Sequence, residues 1–206
     1  APACGGKINR IMYASESVME ANEAVMKLDE ILSREPLPQP AAPKKPAGSD
    51  ITFDHVTFQY PDSRRPALND VSFTVPSGST VGLVGPSGGG KSTAAALIPR
   101  FWDVSSGSVK IGGVDVRQMT GKDLMSRIAF VFQDTRLFKV SLLENIRMAR
   151  PSASVEEVWD AVRAARCEDI LEKLPNGLDT VVGTKGVYLS GGEAQRIALA
   201  RAILKD

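Results

Sequence analysis

The first regular pattern of apolar positions runs along residues 7–34. Apolar pairs recur one heptad apart, at Ile11 with Met12, Val18 with Met19 and Val25 with Met26, and charged residues lie between them. This spacing predicts an amphipathic helix. The prolines of residues 35–48 remove backbone donors, so the next segment is predicted to be an extended linker at a domain boundary.

After the linker, the apolar positions follow patterns typical of strands. Ile51, Phe53, Val56 and Phe58 predict one strand, and Val71, Phe73 and Val75 a second. The apolar runs 79–84 and 128–132 predict two buried core strands, and 108–114 predicts a strand pair. Residues 92–101 and most of 120–174 predict helices, one of them starting at a Ser154/Glu157 capping box. The order of elements indicates an α/β fold.

Composition and charge narrow the classes of function. The 206 residues are 43% hydrophobic and carry a net charge of +1, which gives no reason to expect a nucleic-acid partner. No apolar run is long enough to span a membrane. The two cysteines do not have metal-ligand spacing, and the single histidine, His55, argues against a multi-histidine zinc site.

A phosphate-binding motif stands between the first predicted core strand and a predicted helix. Residues 85–93 read GPSGGGKST and match GxxxxGK[ST]. The glycines allow backbone amides to surround a polyphosphate, and the following helix presents its positive end. Lys91 is expected to pair with the β and γ phosphates, and the Ser92 hydroxyl to coordinate Mg²⁺. The loop as a whole comprises Gly85, Pro86, Ser87, Gly88, Gly89, Gly90, Lys91, Ser92 and Thr93.

A second helix start with serine and glycines lies about 100 residues further along. Residues 189–193 read LSGGE and precede an apolar helical pattern. By itself this segment could be a second anion-binding helix terminus or simply a helix cap.

With these two motifs, the sequence resembles the nucleotide-binding domain of exporter-type ABC transporters. The resemblance covers residues 51–206. The resemblance implies the ABC-ATPase fold, with a parallel core sheet, an antiparallel β subdomain and an α-helical subdomain. It implies that LSGGE is the signature, whose Ser190, Gly191, Gly192 and Glu193 contact ATP held by the opposite subunit. It further implies that Tyr60 stacks on adenine, and that Gln133 is the Q-loop glutamine at Mg²⁺ or the attacking water. ATP and Mg²⁺ are the implied cofactors.

Two further segments, 137–150 and 176–188, resemble exporters after the Q-loop and at the x-loop. Thr184 stands where exporters usually carry glutamate. The resemblance implies three parts: residues 1–34 as the cytosolic end of the last membrane helix, 35–48 as linker and 49–206 as the nucleotide-binding domain. The implied partners are a second nucleotide-binding domain and the transmembrane domain, at the cytoplasmic face of the plasma or inner membrane.

The sequence ends before the family's Mg²⁺-binding Asp, its catalytic Glu and its histidine switch, and His55 cannot replace the last of these. We therefore expect a fragment that is incomplete at the C-terminus and does not turn over ATP alone, whereas the full-length protein does. The alternatives are a soluble ABC-type ATPase and a non-catalytic, nucleotide-dependent dimerisation module. The cargo is not encoded in this segment, and a siderophore is only a distant suggestion.

Overall fold

A computed structural model of the chain describes residues 3–33, 35–183 and 187–205. These residues form two compact units, which divide between Pro38 and Gln39. The first unit contains helix α1 (Ala3–Leu32), which confirms the predicted helix and starts a few residues before it. Within the described ranges, no helix combines the length and the apolar character that a membrane span needs. The assignment of α1 to a membrane domain remains a prediction.

The second unit is built on one antiparallel sheet with the strand order β2-β1-β3-β4. The strands are β1 (Ile51–Phe58), β2 (Leu68–Val75), β3 (Ser106–Ile111) and β4 (Val114–Asp115). They confirm the two strands predicted after the linker and the strand pair around Gly112. In the centre of the sheet, Phe53 pairs with Phe73 on one side and Val109 on the other.

A bulge in β1 explains why its buried residues do not alternate strictly. Phe53, Val56 and Phe58 are all buried, although Phe53 and Val56 are three positions apart. The register with β2 shifts between these two residues, and His55 takes a positive φ of 49°. The extra residue turns the later part of β1 so that its apolar side chains again face the core.

The described residues of the second unit also form six α-helices: α2 (Lys91–Leu97), α3 (Gly121–Ser126), α4 (Leu142–Arg147), α5 (Val155–Ala164), α6 (Glu168–Glu172) and α7 (Gly191–Leu204). One core lies against the sheet and includes Phe53, Leu97 and Met119. A separate helical core joins α4, α5, α6 and α7 through residues such as Ile146, Val158 and Ile197. The unit therefore has a β part and a helical part, each with its own hydrophobic core.

Reciprocal capping boxes begin three of these helices. The N-cap serines are Ser141 of α4, Ser154 of α5 and Ser190 of α7, each with a glutamate three residues later. In each box the serine hydroxyl accepts a hydrogen bond from the backbone amide of the glutamate, and the glutamate carboxylate accepts one from the backbone amide of the serine. The prediction of a helix start at Ser154 is confirmed.

The two predicted core strands differ from the prediction. Residues 79–84 and 128–132 have no strand assignment, and no parallel strand pair occurs in the part of the chain that the structure describes. Val84 is 98% exposed and Phe132 is 55% exposed, so neither run is buried as expected. A strand requires a neighbour for its amide and carbonyl groups, and the sheet of this unit does not include either segment.

Residues 39–48 of the proline-rich segment lie against the second unit as a strap. The Lys44 amide donates to the Gln118 carbonyl (2.8 Å), and the Ala47 amide to the Gly112 carbonyl (3.4 Å). Pro46 is buried, and the Gln39 side chain accepts the Gly121 amide at 3.2 Å. The predicted extended conformation agrees with this segment, which contains no helix or strand. The predicted domain bounds remain a prediction, but these contacts join residues 39–48 to the second unit.

Candidate functional site

The glycine-rich loop of residues 85–90 leads directly into α2, as its sequence predicts. Gly88 and Gly90 have φ values of 78° and 79°, which side chains other than glycine rarely adopt. A Cβ at Gly90 would lie 2.5 Å from the Ala67 carbonyl oxygen and 2.7 Å from Cδ2 of Leu68. Glycine at position 90 therefore lets the loop pack closely against the start of β2.

The Lys91 side chain folds back over this loop. Its Nζ donates to the carbonyl oxygens of Gly85 (2.9 Å) and Pro86 (2.6 Å). The ammonium group has no carboxylate partner among the ion pairs of the described residues. A positive charge is thus held at the loop by neutral acceptors, which an anion can replace.

Tyr60 follows β1 and is connected to α2. Its hydroxyl lies 3.2 Å from Oγ1 of the buried Thr93. Its ring meets Phe58 at 4.8 Å and Trp102 at 5.5 Å between centroids, nearly perpendicular to both. The aromatic side chain that the resemblance assigns to adenine is therefore bonded to the last residue of the phosphate motif.

A cleft of about 510 Å³ brings together three residues that are far apart in sequence. Tyr60, Ser92 and Gln133 line it, together with apolar residues such as Phe101 and Phe130. Its walls supply a phenol ring, a hydroxyl and an amide beside the glycine-rich loop. These groups can contact a base, a cation and a phosphate chain within one site.

A charged turn that sequence reasoning missed stands at one side of this cleft. Arg100 has a φ of 56° and forms a two-point ion pair with Asp103, at 2.6 Å and 2.9 Å. The turn carries Phe101 and Trp102 between these two residues. The sequence signal for this turn was the adjacent aromatic pair Phe101 and Trp102 after α2. The ion pair itself could not be predicted, because it depends on a left-handed backbone at Arg100 that no pattern indicated.

Ser190 and Glu193 of the signature motif form the capping box of α7. The carboxylate of Glu193 accepts hydrogen bonds from the Ser190 amide and hydroxyl, both at 2.8 Å. The backbone hydrogen bond from Ser190 is the main cause that lowers the pKa of Glu193 below its usual range. Gly191 and Gly192 are exposed, and residues 190–193 do not line the cleft at Tyr60. The alternative interpretation as a helix cap is therefore realised, and both glycines lie at the surface.

The remaining predicted positions lie outside this site or outside the described residues. His55 is exposed in β1 and bonds to Asp70. Thr184 of the expected x-loop lies outside the described residues. Among the residues whose placement is described, no three His, Cys, Asp or Glu side chains form a metal cluster. The cleft offers a cation the side-chain oxygens of Ser92 and Gln133, and Asp134 adds a carboxylate to its lining.

Comparisons with known proteins place the chain in a family. The profile described as ABC transporter matches residues 68–206. The ABC transporter aclQ of Aspergillus oryzae is 52% identical over 156 residues, which cover 76% of this chain and 19% of that protein. The ATP-dependent lipid A-core flippase of Methylobacillus flagellatus is 44% identical over 196 residues, covering 95% of this chain and 32% of the flippase.

A solved structure extends the similarity to the fold. The structure of a bacterial Atm1-family ABC exporter with ATP bound superposes with a TM-score of 0.80 and 36% sequence identity. It covers 97% of this chain, which spans 35% of that exporter chain. The chain thus spans about a third or less of the relatives that it matches. With the phosphate loop, the cleft and the signature helix in one fold, the chain belongs to the ABC transporter family.

Proposed function

We propose that the chain binds MgATP in the cleft between Tyr60, the glycine-rich loop and Gln133. The chain is the ATP-binding module of an ABC exporter. The observation that carries the proposal is the cleft itself, which collects Tyr60, Ser92 and Gln133 beside the loop that holds the Lys91 ammonium.

The residues present fit a magnesium nucleotide. Mg²⁺ prefers oxygen ligands in octahedral geometry and usually keeps several waters while sharing phosphate oxygens. The hydroxyl of Ser92 and the amide oxygen of Gln133 are donors of this kind in the same cleft. These two side chains would hold the cation, which when bound would neutralise charge on the phosphates.

Lys91 has the part of a phosphate clamp in this proposal. When nucleotide binds, its Nζ donates to phosphate oxygens instead of to the carbonyls of Gly85 and Pro86. The new hydrogen bonds are stronger because both partners are charged. The left-handed Gly88 and Gly90 keep the loop open for backbone amides to face the same phosphates. Tyr60 supplies a ring for stacking, which selects weakly among bases because each base has a π face.

The signature motif completes the site of a second copy in this proposal. Ser190 and the exposed amides of Gly191 and Gly192 are the groups that would face ATP on the opposite subunit. Because the Ser190 hydroxyl donates to Glu193, contact with phosphate requires that this donation be exchanged. In this proposal Glu193 therefore has two parts: its carboxylate holds the Ser190 hydroxyl until the phosphate binds, and its side chain lies beside the phosphate.

For the parent protein we propose ATP hydrolysis that powers transport across a membrane. Its partners would be a second nucleotide-binding domain and its own transmembrane domain, and the ATPase would lie at the cytoplasmic face of that membrane. The match to an exporter covers 97% of this chain, so it includes residues before the nucleotide-binding domain of residues 49–206. This favours an exporter over a soluble ABC-type ATPase.

The test is equilibrium binding of a fluorescent ATP analogue in the presence of Mg²⁺. We expect Lys91→Ala to weaken binding at least tenfold. A tenfold change in Kd corresponds to about 1.4 kcal/mol of binding free energy, and a hydrogen bond to a charged group contributes more than this. Lys122→Ala removes an exposed lysine of α3 and is the matched control, with binding unchanged. Equal binding by wild type and Lys91→Ala would contradict the proposed site.

A second measurement tests the cation. Ser92→Ala and Gln133→Ala should each reduce the gain in affinity that Mg²⁺ gives over a chelator, while binding without Mg²⁺ stays close to wild type. A full Mg²⁺ effect in both variants would place the cation elsewhere.

A further inference from the structure

We infer that Trp102 is a positioning residue for the nucleotide base, because it fixes the orientation of the Tyr60 ring. The inference rests on the proposed function, in which Tyr60 stacks on the base. Neither the phosphate motif nor the signature contains Trp102, and its contacts in the structure are the reason to assign it this part.

The first step is that Tyr60 needs support from other elements. It lies two residues after Phe58, the last residue of β1, where the sheet no longer holds the chain, and its side chain is only half-buried. A phenol ring in this position can rotate about two side-chain bonds. Stacking on a base is strongest when the ring is already oriented, because the entropy of ordering it is then not lost on binding.

The second step is that three contacts hold the Tyr60 ring. Phe58 meets it at 83° from β1, and Trp102 meets it at 87° from the turn after α2. Thr93 holds the hydroxyl from α2. Perpendicular aromatic pairs at these distances have the favoured edge-to-face geometry. Trp102 is the contact that comes from outside both the strand and the phosphate motif.

The third step is that Trp102 is itself held in place while remaining partly exposed. The Arg100–Asp103 ion pair closes the turn on both sides of it, and the Arg100 side chain is buried. Trp102 is 42% exposed, and its ring partners are Phe58 and Tyr60. The turn thus presents a large aromatic side chain to the base-binding tyrosine and leaves it out of both cores.

The experiment measures the affinity of the 206-residue chain for two ligands, MgATP and magnesium tripolyphosphate, by calorimetry. We expect Trp102→Ala to weaken MgATP binding about fivefold, a loss in the range of one aromatic pair, and to leave tripolyphosphate binding within about twofold of wild type. Trp102→Phe keeps an aromatic ring and should restore most of the MgATP affinity. Trp159→Phe, in the helical part, is the control with both affinities unchanged.

A double-mutant cycle separates positioning from an independent contact. If Trp102 acts through Tyr60, the Tyr60→Ala/Trp102→Ala double variant binds MgATP no more weakly than Tyr60→Ala alone. Full additivity of the two losses would overturn the inference, and so would an equal loss for MgATP and tripolyphosphate. MgATP affinity at the wild-type level in Trp102→Ala, with Tyr60→Ala weakened, would refute the inference and leave the proposed function standing.

A spectroscopic readout requires no ligand. In a Trp159→Phe background Trp102 is the remaining tryptophan, since the chain has two. We expect the tryptophan band at the long-wavelength end of the near-ultraviolet circular dichroism, where tyrosine does not absorb, to change on Tyr60→Leu, because the two rings are in contact. An unchanged tryptophan band would count against the inference. Equal MgATP binding by wild type and Lys91→Ala would instead refute the proposed site, and the inference with it.

Discussion

His55 and Asp70 form an exposed pair where the register between β1 and β2 is interrupted by bulges. His55 Nδ1 lies 2.7 Å from Asp70 Oδ1, and both residues have positive φ values, 49° and 51°. The carboxylate of Asp70 accepts a hydrogen bond from the protonated imidazole, and this bond, followed by the negative charge of Asp70, raises the pKa of His55 above 6.5. Because the folded state binds the proton more tightly, the pair stabilises the fold fully below pH 6.5, and this contribution is lost as the pH rises through the raised pKa.

The titration of His55 can be followed directly, since it is the single histidine. We expect a proton NMR titration to give a pKa above that of a peptide histidine, and Asp70→Asn to lower it. Asp62→Asn, in the loop after Tyr60, is the control and should leave the titration unchanged. A pKa that does not respond to Asp70→Asn would show that the pair does not form in solution.

Cys167 is a buried free thiol at the start of α6. Burial raises its pKa to about 11, so almost none of it is thiolate near neutral pH. In a Cys4→Ser variant, we expect a thiol reagent at pH 8 to label the native chain at least about 100-fold more slowly than the chain unfolded in guanidinium. Rapid labelling of the native chain would mean that the helical core opens readily at this point.

At the residue scale, sequence reasoning placed the glycine-rich loop and the helix that follows it correctly, because the two segments are contiguous in the chain. The parts of Lys91 and Tyr60 in nucleotide binding remain predictions. Trp102 could not be found in this way. Its importance arises from a contact with Tyr60 across 42 positions of sequence, and no local pattern indicates that the two rings meet.

At the scale of elements, capping boxes decide where α4, α5 and α7 begin. Ser154 and Ser190 make equivalent bonds, with glutamate amide to serine hydroxyl distances of 3.2 Å and 3.3 Å. Ser154→Ala and Ser190→Ala should each lower the free energy of unfolding by about 1 kcal/mol, measured by urea denaturation. Under the proposed function, only Ser190→Ala should also weaken nucleotide-dependent association of two chains. An unchanged stability in either variant would contradict the corresponding cap.

The elements also show the limit of the hydrophobic pattern. The strands β1, β2, β3 and β4 were predictable because each carries a strand pattern, and the pairs β1–β2 and β3–β4 are consecutive along the chain. The pairing of β1 with β3 joins segments far apart in sequence, and no local pattern indicates it. The runs 79–84 and 128–132 carry equally apolar patterns but lack paired neighbours, and a strand exists only through its partners. Apolar composition therefore identified segments that can form strands, whereas pairing decided which of them do.

For the molecule as a whole, the position of the hydrophobic cores can be tested with two valines. Val56 is fully buried in β1, whereas Val84 is almost fully exposed before the glycine-rich loop. Val56→Ala should lower the free energy of unfolding by about 2 kcal/mol through the lost methyl groups and the cavity. Val84→Ala should change it by less than about 0.5 kcal/mol. Similar losses in both variants would show that residues 79–84 belong to the core.

The strap also determines which hydrogen bonds of the second unit come first along the chain. A pull on the chain before Gln39 reaches the Gly121 amide and the Gln118 and Gly112 carbonyls before it reaches β1. Gly112 lies in the turn between β3 and β4, Gln118 lies between β4 and α3, and Gly121 is the first residue of α3. The last strap residue whose amide is bonded in this way, Ala47, is four positions before Ile51, so only a short segment separates the strap from β1.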